Sequence, residues 1–150
     1  GDAPATPGAP RPVLYSQAFN AQPFGNRLVV LTMTGDALLR MLEQQFDNPE
    51  PGQTKILQVS NGFSYTLDRS KPAGQRIDRA SVMVGGRPLD PSARYRIGTS
   101  DFVWNGGDGF TVAHEGTDPV GVDADVEVLV AYVMRHTPVA PGPQNRISSR

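Results

Sequence analysis

Residues 27–33 read RLVVLTM and run without a break into Thr34 and the segment GDALLRMLEQQF; no other stretch restricts the possible folds as tightly. Aliphatic and β-branched side chains over seven positions have the length of a strand, and the near absence of polar alternation is the pattern of a strand covered on both faces. The period then changes. Thr34 offers a hydroxyl N-cap, and Ala37, Leu38, Met41, Leu42 and Gln45 or Phe46 recur at helical spacing, which predicts a helix from about Gly35 to Phe46. A buried strand fused to an amphipathic helix needs further elements packed on it, because neither hides its apolar side alone.

The remaining chain supplies them. Asn48, Pro49, Pro51 and Gly52 stop the helix, after which Lys55 to Ser60 and Phe63 to Leu67 predict two strands turned at Asn61 and Gly62. Ser81 to Val84 and Arg87 to Leu89 flank a turn at Gly85 and Gly86, and Tyr95 to Ser100 is a further strand after a turn at Pro91. Asp123 is expected to cap a second helix with Val126, Leu129, Val130, Val133 and Met134 as its apolar stripe. His136 falls near the end of that helix, where positive charge is favoured. Strands outnumber helices, and tight turns mix with longer crossovers, so the expected class is α+β: a mixed β-sheet with packed helices. Residues 1–12, rich in Ala, Pro, Gly and Thr, are expected to form a flexible leader, residues 13–136 the domain, and residues 137–150 a Pro-rich tail adding at most one strand near Arg146 to Ser148.

Several function classes drop out. With 14 Lys and Arg against 15 Asp and Glu the net charge is −1, so no positive field draws nucleic acid. There is no cysteine, which removes disulfides, thiolate metal sites and a cysteine nucleophile. No apolar run approaches the roughly 18 to 20 residues of a membrane span, and the first residues show none of the basic, apolar and cleavage regions expected of a signal peptide. The two histidines, His114 and His136, belong to no paired metal-ligand pattern, so the chain is expected to carry no metal and no cofactor of its own. Residues 105–110, NGGDGF, lack the Gly-Lys-Ser/Thr end of a P-loop. No nucleophile elbow occurs, and Asp123 with Asp125 suit a helix start better than acid–base work. Taken alone, the residues specify no active site.

Two places are unusual. In AQPFGN, residues 21–26, Pro23 and Gly25 set a turn that leaves Phe24 on a loop, either as a lid over the edge of the core or as a platform for a ligand. In DFVWNGGDGF, residues 101–110, Gly106, Gly107 and Gly109 let the backbone come close to a partner, Asn105 and Asp108 supply polar groups, and Phe102 and Trp104 supply flat faces. An aromatic face beside a carboxylate suits a nucleoside, the base stacking and the sugar hydroxyls donating to the carboxylate. Equally, Asp in a Gly-rich turn bonds its own backbone, and Phe102 can continue a strand into the core.

The order of QPFGN at Gln22 to Asn26, an aliphatic strand, TG and a helix ending LEQQ, then LQVSNGFSYTLD, a Gly-Gly-x-Pro-Leu-Asp turn, a Tyr-led strand and NGGDGF resembles the C-terminal domain of the 5′-nucleotidase (UDP-sugar hydrolase) family over about Val13 to His136. The resemblance implies a two-domain, extracytoplasmic enzyme, in periplasm, cell wall or secreted, that hydrolyses nucleotide phosphate esters. A preceding metallophosphoesterase domain would bind two divalent metal ions, and the present domain would hold the nucleoside or nucleotide substrate. It implies that the base lies between Phe24 and Phe102, that Asp108 contacts the ribose, and that Gly106, Gly107 and Gly109 let Asp108 and the backbone reach the sugar; with Asn105 as a further polar group, these seven residues are the expected substrate-binding set.

The departures matter as well. The family's Asp-x-His and Gly-Asn-His-Glu/Asp metal signatures are absent, so this chain by itself is expected not to hydrolyse phosphate esters. Its upstream Asn-x-Gly-Gly-Ile-Arg segment is absent too, which implies a domain beginning inside the family pattern. Neither Arg11 nor Arg27 aligns with the lost arginine. The alternative is a non-catalytic extracytoplasmic interaction module in which both phenylalanines are buried as core, and an independent hydrolase lacks a nucleophile and base together.

Overall fold

The computed structural model describes residues 10–150; of the expected leader, residues 1–9 lie outside the described residues. A short helix α1 (Tyr15–Ala21) comes first, followed by β1 (Arg27–Thr34) and α2 (Gly35–Glu43). Next are β2 (Phe63–Leu67), β3 (Ile77–Val84), β4 (Arg87–Pro88), β5 (Arg94–Ser100) and the single turn of helix α3 (Asp101–Trp104). Two 3-10 turns (Gly107–Gly109 and Thr111–Glu115) lead into β6 (Thr117–Ala124), α4 (Asp125–His136) and β7 (Ile147–Ser149). The class is α+β, as expected. In place of the one mixed sheet expected there are two sheets: an antiparallel one in the order β5-β1-β6, and a mixed one in the order β4-β3-β2-β7 whose parallel pair is β2 with β7.

In β1, Val29, Leu31 and Met33 are buried while Leu28, Val30 and Thr32 are half-buried, so the strand alternates after all. Its second face is covered by a side chain. The Arg96 guanidinium lies across three strands, donating to Thr32 Oγ1 (3.0 Å), Asp118 O (2.8 Å) and Val30 O (3.2 Å). The arginine stem shields apolar surface and keeps its charge wet, which is why Val30 needs no buried partner.

α2 starts as its sequence predicts, with Thr34 Oγ1 accepting the Ala37 N–H at 3.2 Å. Gly35 is required by proximity, since a Cβ there would sit 2.1 Å from Asp90 O. The loop before β5 presses on the helix start and takes its free N–H groups: Gly35 N donates to Ala93 O (3.0 Å) and Asp36 N to Pro91 O (2.9 Å). Ala37, Leu38, Leu39, Met41 and Leu42 are all buried because α2 packs against both sheets, touching β1 and β3.

The helix ends at Glu43, three residues before Phe46, because the next side chains leave the helix to organise three neighbours. Glu43 accepts the N–H groups of Arg76 and Ile77 at 3.2 and 2.8 Å, seating β3. Gln44 donates to Thr111 Oγ1 (2.8 Å) and accepts from Val112 N (3.0 Å), seating the second 3-10 turn. Fully buried Gln45 accepts from Leu57 N (2.7 Å) and Tyr65 Oη (3.0 Å) and donates to Leu42 O (2.7 Å). These bonds correct the expected hairpin at Asn61 and Gly62. The segment Lys55 to Ser60 joins no strand ladder, and β2 pairs with β3 instead.

Three elements escaped the sequence patterns: α1, α3 and β6. α1 buries only Ala18, and it is tied to α4 by a bond from Tyr15 Oη to Glu127, 3.0 Å. β6 alternates only over Val120, Val122 and Ala124, a stretch too short and too broken by Pro119 and Gly121 to stand out, and it is largely exposed. The second helix begins at Asp125 with Ala124 as N-cap, so Asp123 does not cap it, and Met134, placed in the apolar stripe by spacing, is exposed. Beyond it, β7 pairs with β2, and Arg146 donates to Val59 O at 2.8 Å.

Candidate functional site

The candidate site lies at one end of the β1–β5 pair. Register sets Leu28 opposite Ser100. Phe24 precedes β1 on a turn whose Gly25 has φ +66°, and Phe102 follows β5 in α3, so the pairing brings the two ring-bearing segments to the same end of the sheet. Neither ring is core. Phe24 is 74% exposed and Phe102 47% exposed, against 2% for Phe110. No stacking contact joins the two rings among the described residues.

Ser100 is the helix cap of α3, its hydroxyl accepting the Val103 N–H at 3.2 Å. β5 therefore turns into helix instead of continuing into the core, which is what sets Phe102 at the surface. Trp104 packs with Val103 against the apolar core. Asn105 returns to its own helix, with both its backbone N–H (2.9 Å) and its Nδ2 (2.8 Å) donating to Asp101 O.

The glycine loop that follows needs each of its glycines for a stated reason. Gly106 has φ +79°, and a Cβ there would meet the His114 ring at 3.1 Å. Gly107 lies against Phe102: a Cβ would sit 2.6 Å from two atoms of that ring. Gly109 has φ +76°, and a Cβ would lie 2.8 Å from Asn48 Oδ1, a buried acceptor without a hydrogen bond. Asp108 itself adopts φ 52°, the left-handed region that Asp tolerates better than most residues. Its carboxylate meets the ammonium of Lys55 at 3.2 Å, both side chains remaining well exposed. Phe110, fully buried, pins the end of the loop.

Behind the loop, α2 holds the second 3-10 turn through Gln44 and through Arg40, which makes a bidentate pair with Glu115 at 2.6 and 2.7 Å. The Arg40 guanidinium keeps the Glu115 carboxyl below the usual range for glutamate. Sequence patterns missed Lys55, Asp101, Gln44 and Asn48, which act on residues far along the chain or stand in turns without periodic signal. An apolar groove of about 470 Å³, lined by Leu38, Met41, Leu57, Tyr95 and Ile97 among others, contains none of the candidate residues.

Two observations bear on metal. Among the described residues no three His, Asp or Glu side chains come together closely enough to hold an ion. His136 is occupied by Tyr132, ring on ring at 4.1 Å with Nδ1 2.8 Å from Tyr132 O. A two-metal centre does not fit the described residues of this chain.

The family model for "5'-nucleotidase, C-terminal domain" matches residues 3–115, a span that contains both phenylalanines and the glycine loop. The chain belongs to this family. As a 5′-nucleotidase C-terminal domain it is similar in fold to the 5′-nucleotidase precursor of Thermus thermophilus, with TM-score 0.76 and 36% identity, covering 92% of this chain and 28% of that one. It is 34% identical over 122 residues to the cell wall protein Lmo0130 of Listeria monocytogenes, covering 81% of this chain and 15% of the relative. Apyrase of Tabanus yao is 33% identical over 146 residues, covering 90% and 26%. The domain thus spans about a quarter or less of the length of these curated relatives.

Proposed function

We propose that this domain holds the nucleoside part of a nucleotide for a metal-dependent phosphoesterase whose hydrolytic centre lies in another part of the protein. The observation that carries the reading is the exposure of Phe24 and Phe102 at one end of the β1–β5 pair, next to a loop that presents Asp108. Large aromatic faces left in water at a loop cluster are ready for stacking, which contributes about 1 to 3 kcal/mol per base. Asp108 accepts hydrogen bonds from the ribose hydroxyls, and Gly106, Gly107 and Gly109 give the sugar close access to the backbone. Asn105 shapes the loop through its bond to Asp101 O.

The contribution to catalysis is orientation, since fixing the base and sugar fixes where the phosphate can lie. Relatives named as a 5′-nucleotidase and an apyrase support nucleotide phosphate esters as substrates, and a relative named as a cell wall protein supports an extracytoplasmic location. Two divalent ions in a partner domain would supply the activated water; no residue of the described chain is assigned to them. The interaction-module alternative requires both phenylalanines to be buried, and their exposure favours the nucleoside reading.

Titration with adenosine, read by Trp104 fluorescence, tests the proposal. Binding at millimolar concentration or below is expected, with Phe24→Ala and Phe102→Ala each weakening it by about 1 to 3 kcal/mol. An absence of any response at millimolar adenosine, or full affinity in both variants, would overturn it.

A further inference from the structure

The two ring-bearing segments are joined by one side chain that nothing above assigns to the ligand. Asp101 Oδ1 accepts two backbone N–H groups: that of Arg27 at 3.0 Å and that of Phe102 at 2.9 Å. In the antiparallel ladder, Leu28 pairs with Ser100, so the next rung would pair Arg27 with Asp101. At that point the backbone has already turned into α3, and the carboxylate takes the place of the strand acceptor the ladder no longer offers. Arg27 is three positions after Phe24, and Phe102 is the next residue after Asp101.

The neighbouring bonds strengthen the junction. Asn26 O accepts the Asp125 N–H at 2.9 Å, so the exit from the Phe24 turn is pinned from α4 as well. Asp101 O accepts from both the backbone and the side chain of Asn105, tying the same residue to the start of the glycine loop. Asp101 therefore meets the Phe24 segment, Phe102 and the start of the glycine loop at once, and it is half-buried.

We propose that Asp101 is a positioning residue that sets the separation of Phe24 and Phe102, through its Oδ1 bonds to the Arg27 and Phe102 N–H groups. The inference rests on the nucleoside reading. Its chemistry is that of an acceptor at a fixed distance, so charge is secondary: asparagine keeps an oxygen at the same place, glutamate keeps the charge but moves it by one methylene, and alanine removes both.

The test measures adenosine affinity for the wild-type chain and for Asp101→Asn, Asp101→Glu and Asp101→Ala, alone and combined with Phe24→Ala. Asp101→Asn is expected to stay within about twofold of wild type, whereas Asp101→Glu and Asp101→Ala lose about tenfold, the scale of one lost hydrogen bond. In the Phe24→Ala background the further loss on Asp101→Ala should shrink, because part of the carboxylate's effect runs through that ring. Amide exchange at Arg27 should be faster in Asp101→Ala and unchanged in Asp101→Asn. Full additivity with Phe24→Ala, or equal loss in Asp101→Asn and Asp101→Ala, overturns the positioning role. If Phe24→Ala and Phe102→Ala weaken binding while Asp101→Ala and Asp101→Glu do not, this inference alone fails. If neither phenylalanine matters, the nucleoside reading fails first. Should Asp101→Ala not fold, the Asp101→Asn and Asp101→Glu pair decides between the same outcomes.

Discussion

The ammonium of Lys55 stands 3.2 Å from the carboxylate of Asp108, 53 residues further along the chain. The pair ties the segment after α2 to the tip of the glycine loop, and it engages one carboxylate oxygen of Asp108, leaving the other for a ligand. An exposed pair of this kind contributes at most about 1 kcal/mol to stability. Its value here is orientation of a side chain whose backbone already sits at φ 52°. Lys55→Met is expected to weaken adenosine binding by about two- to fivefold while changing stability by less than about 0.5 kcal/mol. The difference from wild type should shrink at about 0.5 M salt, where screening is nearly complete over the pair's surroundings. Isothermal titration at two ionic strengths checks both statements.

Gly107 and Gly98 separate space from conformation. A methyl at Gly107 would overlap the Phe102 ring, whereas at Gly98 nothing lies within 4 Å. Gly107→Ala must displace both the ring and the Phe102 carbonyl oxygen, each 2.6 Å from the new methyl, so a destabilisation of about 1 to 3 kcal/mol and weakened adenosine binding are expected together. Gly98→Ala should change stability by less than about 1 kcal/mol and leave binding intact. Denaturant titration and the adenosine assay on both variants provide the comparison.

Gln45 is the buried polar junction of the fold. Gln45→Leu keeps the volume and removes the acceptor of both Leu57 N–H and Tyr65 Oη–H. Two donors lose their partner away from water, at about 1 to 3 kcal/mol each where no relaxation rescues them. A clear drop in the denaturation midpoint is expected, with the Tyr65→Phe, Gln45→Leu double variant less destabilised than the sum, since Tyr65→Phe removes one of the orphaned donors.

Acid should loosen the clamp behind the loop. Arg40 depresses the Glu115 carboxyl, and Gly52 N–H and Arg76 likewise depress Asp47. A carboxyl whose folded pKa lies below its unfolded value contributes stability that is present above the unfolded pKa and is lost as pH falls through the folded one. Melting temperature should therefore decline below about pH 4, the ordinary carboxylate range. Glu115→Gln should lower it near neutrality and converge on wild type in acid. At the other end, burial raises the Tyr65 phenol, so stability present below about pH 10 should fall as pH rises beyond that point. A melting series across pH, with Tyr65→Phe losing the alkaline limb, checks the sign of both effects.

Local chemistry written into adjacent residues was legible before any coordinates. The aliphatic run of β1, the Thr34 cap, the apolar face of α2 and the turn at Gly85 and Gly86 are each decided within one or two turns of chain, where periodicity and backbone preference operate. The ordered motifs QPFGN and NGGDGF likewise carried the family. What sequence alone left open was every decision made between distant residues. Whether Phe102 is core or surface depends on Ser100 capping α3 at the end of β5. The partner of β2 depends on the glutamine just past the end of α2, which takes the Leu57 N–H out of any hairpin. The acceptor that joins the two ring segments comes from Asp101, 74 residues from the N–H it receives. Propensity and period describe a residue's neighbours along the chain; hydrogen bonds across such separations exist only once packing has brought their ends together, and that is why the tertiary structure alone decided them.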